Sequence, residues 1–311
     1  MGKGAVVVTG AAGNLGRLVV QTLHRDRRVV AVDRRPLNGL PKDVETQRAD
    51  LRWRALAEVF RRQSVEAVLH LGIMHNPRND VGCYRHNVVG TQRLLELVAK
   101  HRVPRLVMLS SANIYGPNPD NSHFLTEDAP LLGAEHHPEI RDLVSVDNLV
   151  QAFFYRHPEV RTVLLRPVHI VGPRVRNAPA NYLRLERPWV IMGFDPLVQL
   201  VHEDDVVEAM RLALVRDARG VFNIVGSSGV PSASMVSTCL FATELTGNVQ
   251  ERTGAPSTCT VQAPQSDMPQ PNLVPRKPSS SRSTQSRGIS GSTSMFWVAP
   301  LRMKEIMNVS P

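Results

Sequence analysis

Apolar and polar positions follow two rhythms along the first 225 residues. Short β-branched runs alternate with stretches whose apolar residues stand three and four apart. AVVVT at 5–9 reads as a buried strand, followed by helical spacing over 15–23 and a second strand, VVAVD, at 29–33. A turn-rich segment at 34–41 leads to a third strand over 44–51, and Leu56, Val59 and Phe60 predict a helix over 52–62. A fourth strand is expected over 66–72, running into a loop at 74–77. A long amphipathic helix follows over 86–101, then a fifth strand over 105–111. A His- and Pro-containing loop spans 113–138. The helix after it, 140–156, has Leu143, Val146, Leu149, Val150, Phe153 and Phe154 on one face. A sixth strand is expected at 161–167, an irregular Arg-, Asn- and Pro-rich segment at 172–188 and a short strand at 197–201. A helix over 202–215 and a strand over 220–225 complete the series. Such alternation implies a parallel sheet with helices on both faces. Ligands of such sheets sit beyond the carboxyl ends of the strands.

The rhythm fades after Pro231. Ser, Thr, Pro and Gln dominate, as in PSSSRSTQSR at 278–287. Such a segment cannot bury enough apolar surface to offset the entropy of ordering it. The expected division is a nucleotide-binding Rossmann domain over 1–167, a partial substrate lobe over 168–231 interleaved with the last sheet elements, and a disordered tail over 232–311. Two origins of the tail stay open, a natural low-complexity segment and an altered reading frame. Composition narrows the class further. No stretch approaches the roughly 20 apolar residues of a membrane helix, and Met1 stands too close to the first strand for a signal peptide. Cys83, Cys239 and Cys259 are far apart and odd in number, so neither a metal site nor a disulfide framework is expected, and a reducing cytoplasm is the default. The net charge of +9 raises the question of nucleic acid. Six Lys/Arg against two acids over 254–311 supply nearly half of it, and the remainder is scattered arginine, so no nucleic-acid partner and no membrane surface are expected.

The chemistry is concentrated at TGAAGNLG, 9–16, where the first strand opens into the first helix. Gly10 allows the tight turn, Gly13 lets the backbone approach a pyrophosphate and Gly16 lets helix and strand pack closely. The helix N-terminus offers free N–H groups and a positive dipole end to phosphate. Asp33 ends the second strand, placed to accept hydrogen bonds from an adenosine ribose. This pattern predicts a dinucleotide site.

The succession of motifs resembles the extended short-chain dehydrogenase/reductases, in particular the NAD-dependent epimerase/dehydratases that act on nucleotide sugars, with a flavour similar to UDP-glucose 4-epimerase-like members. The matching stretches, in the family's order, are Thr9-Gly-x-x-Gly-x-x-Gly16, Asp33, Asp50-Leu51, His70-Leu-Gly72 and Asn87-Val-Val-Gly-Thr91. They continue with Leu109-Ser-Ser-x-x-x-Tyr-Gly-Pro117, Leu165-Arg-Pro-x-x-x-x-Gly-Pro173 and Val201-His-x-x-Asp-Val206. The resemblance implies an α/β fold, a Rossmann-type doubly wound parallel sheet with a small, incomplete C-terminal substrate lobe. It implies NAD as cofactor, with NADP open because Arg34 and Arg35 stand where a 2′-phosphate would lie. Gly10, Gly13, Asn14, Leu15 and Gly16 would hold the pyrophosphate, Asp33 and Arg34 the adenosine ribose, and Asp50 and Leu51 the adenine. Leu71 and Gly72, with Asn87, would border the cofactor, and Pro167 would approach the nicotinamide. Ser111 matches the catalytic Ser/Thr, while His169, Asn181 and His202 match substrate-side positions. A nucleotide sugar or related small molecule is the implied partner, and a homodimer through the two long helices is implied as well.

One part of the family pattern is missing. Its chemistry uses a Tyr and a Lys four residues later, on one helix face, the Lys lowering the phenol pKa so that the Tyr takes a hydroxyl proton. The residues four after Tyr84, Tyr115, Tyr155 and Tyr182 are Val88, Pro119, Glu159 and Glu186. On the expected helix Leu143 and Asp147 hold the two places. Asp147 is either a substitute proton acceptor or the partner of an arginine. Two functions therefore stand: an oxidoreductase or isomerase of epimerase type, and a non-catalytic dinucleotide-binding sensor or scaffold.

Overall fold

The computed structural model describes residues 4–74, 80–116, 125–185, 197–226 and 229–231. The tail expected over 232–311 lies outside them. In chain order the first half comprises β1 (Ala5–Thr9), α1 (Asn14–Leu23), β2 (Val29–Asp33), β3 (Glu45–Arg48), α2 (Arg54–Arg62) and β4 (Val65–His70). Helix α3 (Asp80–Tyr84) then runs through a π-helical turn (Arg85–Val89) into α4 (Gly90–Lys100), and β5 (Arg105–Leu109) is followed by a 3-10 turn (Ala112–Tyr115). The second half holds α5 (Gly133–His136), α6 (Arg141–Arg156), β6 (Arg161–Pro167), β7 (His169–Val171), α7 (Ala178–Leu183), β8 (Leu197–His202), α8 (Glu203–Val215), β9 (Gly220–Ile224) and β10 (Gly229–Pro231).

Seven strands form one sheet in the order β3-β2-β1-β4-β5-β6-β9, every neighbouring pair parallel. Chain direction across the sheet reverses at β1, between β2 and β4, and this is where a doubly wound sheet opens a crevice. Both faces are covered, so successive residues of β1 bury on opposite sides. Val6 and Val8 pack with Leu18 and Val19 of α1 and with Val206 and Met210 of α8. Ala5 and Val7 pack with Leu56 of α2, Leu94 of α4 and Val146 of α6. A strand buried on both faces reads as an unbroken apolar run rather than an alternating one, as AVVVT does. A second, three-stranded sheet, β10-β8-β7, lies after the sixth strand.

The differences from the sequence reading have local causes. The third strand shrinks to Glu45–Arg48 because it is a polar, largely exposed edge strand. The fifth strand ends at Leu109, since Ser111 turns its hydroxyl back to accept the Asn113 N–H at 3.2 Å and starts the 3-10 turn. The long helix begins six residues earlier than expected, at Asp80, and carries the π-helical turn. The loop of 113–138 contains α5, and the irregular stretch after Gly172 contains α7, capped by the Asn177 side chain on the Ala180 N–H at 2.8 Å.

Candidate functional site

The crevice above β1 is a cleft of about 470 Å³. Its floor is the turn from β1 to α1. Gly10 has φ +76°, and a Cβ there would lie 2.6 Å from the Leu71 carbonyl carbon and 2.7 Å from the Gly72 nitrogen. A Cβ on Gly16 would strike the Gly10 carbonyl oxygen. Gly13 is the N-cap of α1, and a Cβ there would meet only the Gly10 oxygen at 3.2 Å and the Arg35 guanidinium at 3.6 Å, so its outer side is open. The first turn of α1 carries no acid. Free N–H groups and the positive helix end therefore face the cleft unopposed. A buried bridge fixes this floor from below: His70 Nδ1 stands 2.6 Å from Thr9 Oγ1 and its Nε2 2.9 Å from Thr91 Oγ1, tying the ends of β1 and β4 to α4. Complete burial pushes the His70 pKa down to about 3, so the ring is neutral.

Asp33 sits at the end of β2 with its carboxylate in the cleft wall. Its Oδ2 accepts the Ala12 N–H at 3.0 Å, and Oδ1 accepts the Arg35 N–H at 2.9 Å and Arg35 Nε at 3.2 Å. Burial raises its pKa, but the Arg35 side chain, helped by the two amides, outweighs that and holds the carboxyl below its ordinary value. Arg34 reaches from the end of β2 across the crevice, its Nη2 3.4 Å from Met74 Sδ in the loop after β4. Ala49, Leu51, Met74 and His86 line the same cleft. At the other end the cleft is lined by Leu109, Ile170, Val175 and Arg176.

Of the residues expected to hold a cofactor, Gly10, Gly13, Asn14, Leu15, Gly16, Asp33, Arg34, Leu51, Leu71 and Gly72 line this one cleft. Asp50 does not join them. Its Oδ1 accepts the Arg52 N–H at 3.0 Å and Nε at 2.8 Å, and its Oδ2 accepts Nη2 at 2.8 Å, a pairing that lowers its pKa. Asn87 is fully buried and clamps the loop after β4, taking the Met74 N–H at 2.8 Å and donating to the Met74 carbonyl at 3.1 Å. Pro167 is buried at the end of β6, outside the cleft wall.

The candidate catalytic residues are arranged differently. Asp147 is wholly buried and does not face the cleft. Its carboxylate accepts Arg166 Nη2 at 2.7 Å and Nε at 3.1 Å, Ser110 Oγ at 2.6 Å and Gln151 Nε2 at 2.8 Å. With its lone pairs used in this way, it is a structural ion-pair partner rather than a proton acceptor for a ligand. Arg166 also donates to the Tyr115 hydroxyl and the Glu127 carbonyl, each at 2.8 Å. The Tyr115 hydroxyl in turn donates to Asn223 Oδ1 at 2.7 Å, and burial raises its pKa. Leu143 packs with Ile114 and Val144. Ser111 is half-buried and occupied as a cap. His169 lies on β7, its pKa pushed down by burial. Asn181 is exposed and accepts Arg184 Nη1 at 3.3 Å, while His202 caps α8 through the Asp204 N–H at 3.2 Å, so neither reaches the cleft wall. Among the described residues there is no group of His, Cys, Asp and Glu able to hold a metal, and no helix long and apolar enough to cross a membrane.

Sequence reasoning missed Ala49, Ile73, Met74, His86, Leu109, Ile170, Val175 and Arg176 as cleft residues. His86 and Leu109 carried a signal, the first beside Asn87 and the second at the head of a recognised stretch.

A glycine-floored crevice at the reversal of a parallel sheet, with an acid at the end of the second strand, defines a Rossmann-type dinucleotide fold. The profile of the NAD dependent epimerase/dehydratase family matches residues 6–225, and the chain belongs to that family. It is 29% identical over 236 residues to an uncharacterized protein of Mycobacterium tuberculosis, covering 72% of this chain and 62% of that one. It is also 29% identical over 226 residues to UDP-glucose 4-epimerase of Dictyostelium discoideum, covering 64% of this chain and 63% of the relative. The chain thus spans less than two thirds of the length of these relatives. The solved structure of MoeE5 in complex with UDP-glucose and NAD is similar, with a TM-score of 0.65 and 31% identity over 78% of this chain and 82% of that one.

Proposed function

We propose that this chain binds NAD in the cleft above β1 and a nucleotide sugar beyond the cleft's Leu109–Ile170 end, without the tyrosine–lysine proton transfer of its family. The NAD reading is supported by the glycine floor: a Cβ at Gly10 or Gly16 would fill space that the turn requires, whereas Gly13 faces open cleft. The N–H groups at Asn14–Gly16 would hold the pyrophosphate and Asp33 the adenosine ribose. NAD supplies a hydride acceptor when bound. The nucleotide-sugar reading draws on MoeE5, whose structure contains UDP-glucose and NAD.

The observation that carries the non-catalytic half is the Asp147–Arg166 pair. The sequence reading sets Asp147 against the family's lysine and Leu143 against its tyrosine, and the buried ion pair supports the reading that Asp147 is committed to Arg166. Without a positioned acid–base group the rate falls by about 10²–10⁴. The second reading of the sequence, a dinucleotide-responsive sensor or scaffold, is favoured by the same pair. Calorimetric titration with NAD, NADP and UDP-sugars, followed by sugar analysis after long incubation, tests both halves. NAD binding with sugar left unchanged is the expected result. Conversion of UDP-glucose at an ordinary enzymatic rate would overturn the non-catalytic half, and absence of any dinucleotide binding would overturn the whole.

A further inference from the structure

The end of β2 brings more positive charge to the cleft than a neutral ribose hydroxyl needs. Among the described residues Asp33 is the acid that lines the cleft, set against Arg34, Arg35 and Arg176. Asp50, between the cleft residues Ala49 and Leu51, is committed to Arg52. Arg34 is exposed and lines the cleft next to Asp33. Its guanidinium donates to Met74 Sδ at 3.4 Å, and among the described residues it has no ion pair. A thioether sulfur is a weak acceptor, so the Arg34 charge stays uncompensated.

Asp33 itself has little left to offer a ribose. Its Oδ2 accepts the Ala12 N–H at 3.0 Å and Arg35 Nη2 at 3.3 Å, and its Oδ1 accepts the Arg35 N–H at 2.9 Å and Arg35 Nε at 3.2 Å. A carboxylate has about four lone-pair sites, and these bonds take them. The Asp33 side chain is 5% exposed, whereas that of Arg35 is 57% exposed. Arg35 also reaches over the glycine turn, where its Nη2 would lie 3.6 Å from a Cβ on Gly13. The guanidinium thus stands between the acid at the end of β2 and the turn into α1, with an open outer side. A ribose hydroxyl reaches the Asp33 oxygens only by displacing the Arg35 side chain. A phosphate on that hydroxyl's oxygen would meet the Arg35 guanidinium instead, in a cleft that Arg34 also lines, and the Asp33 charge is already paired with Arg35. Guanidinium groups bind phosphate through charge-assisted, often bidentate bonds.

We infer that Arg34 and Arg35 hold a phosphate on the adenosine 2′-oxygen, so that the cleft takes NADP at least as readily as NAD. The inference rests on the dinucleotide reading above and adds which form of the adenosine end the cleft selects. The Asp33–Arg35 pair sets the choice. Closed, it shields the carboxylate from the phosphate; opened, it yields the carboxylate to a ribose diol.

The test is calorimetry on the full chain with NAD and with NADP, at low and at physiological salt. Wild type is expected to bind NADP as tightly as NAD or more tightly. The double variant Arg34→Gln with Arg35→Gln is expected to move the ratio of the two dissociation constants toward NAD by about tenfold or more. Both side chains are exposed, so the double variant is expected to fold. Adenosine 2′,5′-bisphosphate and adenosine 5′-monophosphate, which lack the nicotinamide half, are expected to show the same preference and the same response to the variant. One readout needs no variant: affinity for NADP is expected to fall more steeply with salt than affinity for NAD, because an exposed phosphate–guanidinium contact is screened. Tighter binding of NAD than of NADP by wild type overturns the inference and leaves the NAD reading intact. A ratio that the double variant does not move, or equal salt dependence of the two dinucleotides, also overturns it. Failure of both dinucleotides to bind overturns the dinucleotide reading itself.

Discussion

The floor of the cleft and the buried network around Asp147 are built by opposite rules. At the Gly10–Gly16 end the chain removes side chains and leaves the amide N–H groups at the start of α1 facing the cleft. Around Asp147 polar groups satisfy one another. Ser110, Asp147, Gln151, Arg166, Tyr115 and Asn223 form one connected network closed within the protein. A binding site needs unspent hydrogen-bonding capacity, whereas a scaffold needs it spent. By that measure the glycine-turn floor is arranged for a ligand and the network around Asp147 is arranged as structure.

The contrast is broken most forcefully at Asp147. Asp147→Ala leaves Arg166 as an uncompensated buried cation, and a loss of about 3–5 kcal/mol in unfolding free energy is expected. Asp147→Lys, which puts a lysine four residues after position 143, is expected to be more damaging still, because it sets two cations together. Denaturant unfolding measures both. A stable Asp147→Lys protein would mean that the network around Asp147 is less committed to structure than its geometry indicates.

His70 gives the next effect. Its folded pKa of about 3 lies below the ordinary 6.5. Between those values the unfolded chain takes up a proton that the folded chain refuses. Stability is therefore full above about pH 6.5 and falls as the pH drops toward 3, by at most about 1.4 kcal/mol per pH unit. His70→Asn should be less stable at neutral pH but show a flatter slope below pH 6.5 in thermal melts. An unchanged slope would assign the acid sensitivity to other groups.

The smallest effect is at Arg35, whose side chain is 57% exposed. Arg35→Ala should change stability by less than about 1 kcal/mol. It frees the Asp33 carboxylate, so NAD should bind a few-fold tighter. Weaker binding would instead assign the guanidinium to the ligand's phosphates.

The dinucleotide end was legible because its logic is local in the chain. TGAAGNLG carries floor and helix start within eight residues, and Asp33 ends a strand that any apolar pattern reveals. The network around Asp147 was legible only as a gap. That Asp147 would meet Arg166 depends on α6 and β6 packing face to face, and that Tyr115 would meet Asn223 depends on β9 joining the far edge of the sheet. Periodicity reports which face is buried, not which polar groups on buried faces meet. The π-helical turn left no trace either, since an inserted residue shifts helical phase by an amount the apolar pattern absorbs. Asp50 looked like an adenine ligand until Arg52, two residues on, was seen to occupy it.

The position of β9 also orders events in time. Residues 220–224 pair with β6 and bring in Asn223, whose amide N–H meets the Glu127 carboxylate at 2.8 Å and whose side chain holds the Tyr115 hydroxyl. A chain emerging from the ribosome has all the strands around the glycine turn in hand once β4 is out. The turn after β5 must wait for a strand made more than a hundred residues later. During synthesis the strands beside the glycine turn can therefore pair first, while the Tyr115 hydroxyl lacks its acceptor on Asn223 until the last strand of the large sheet arrives.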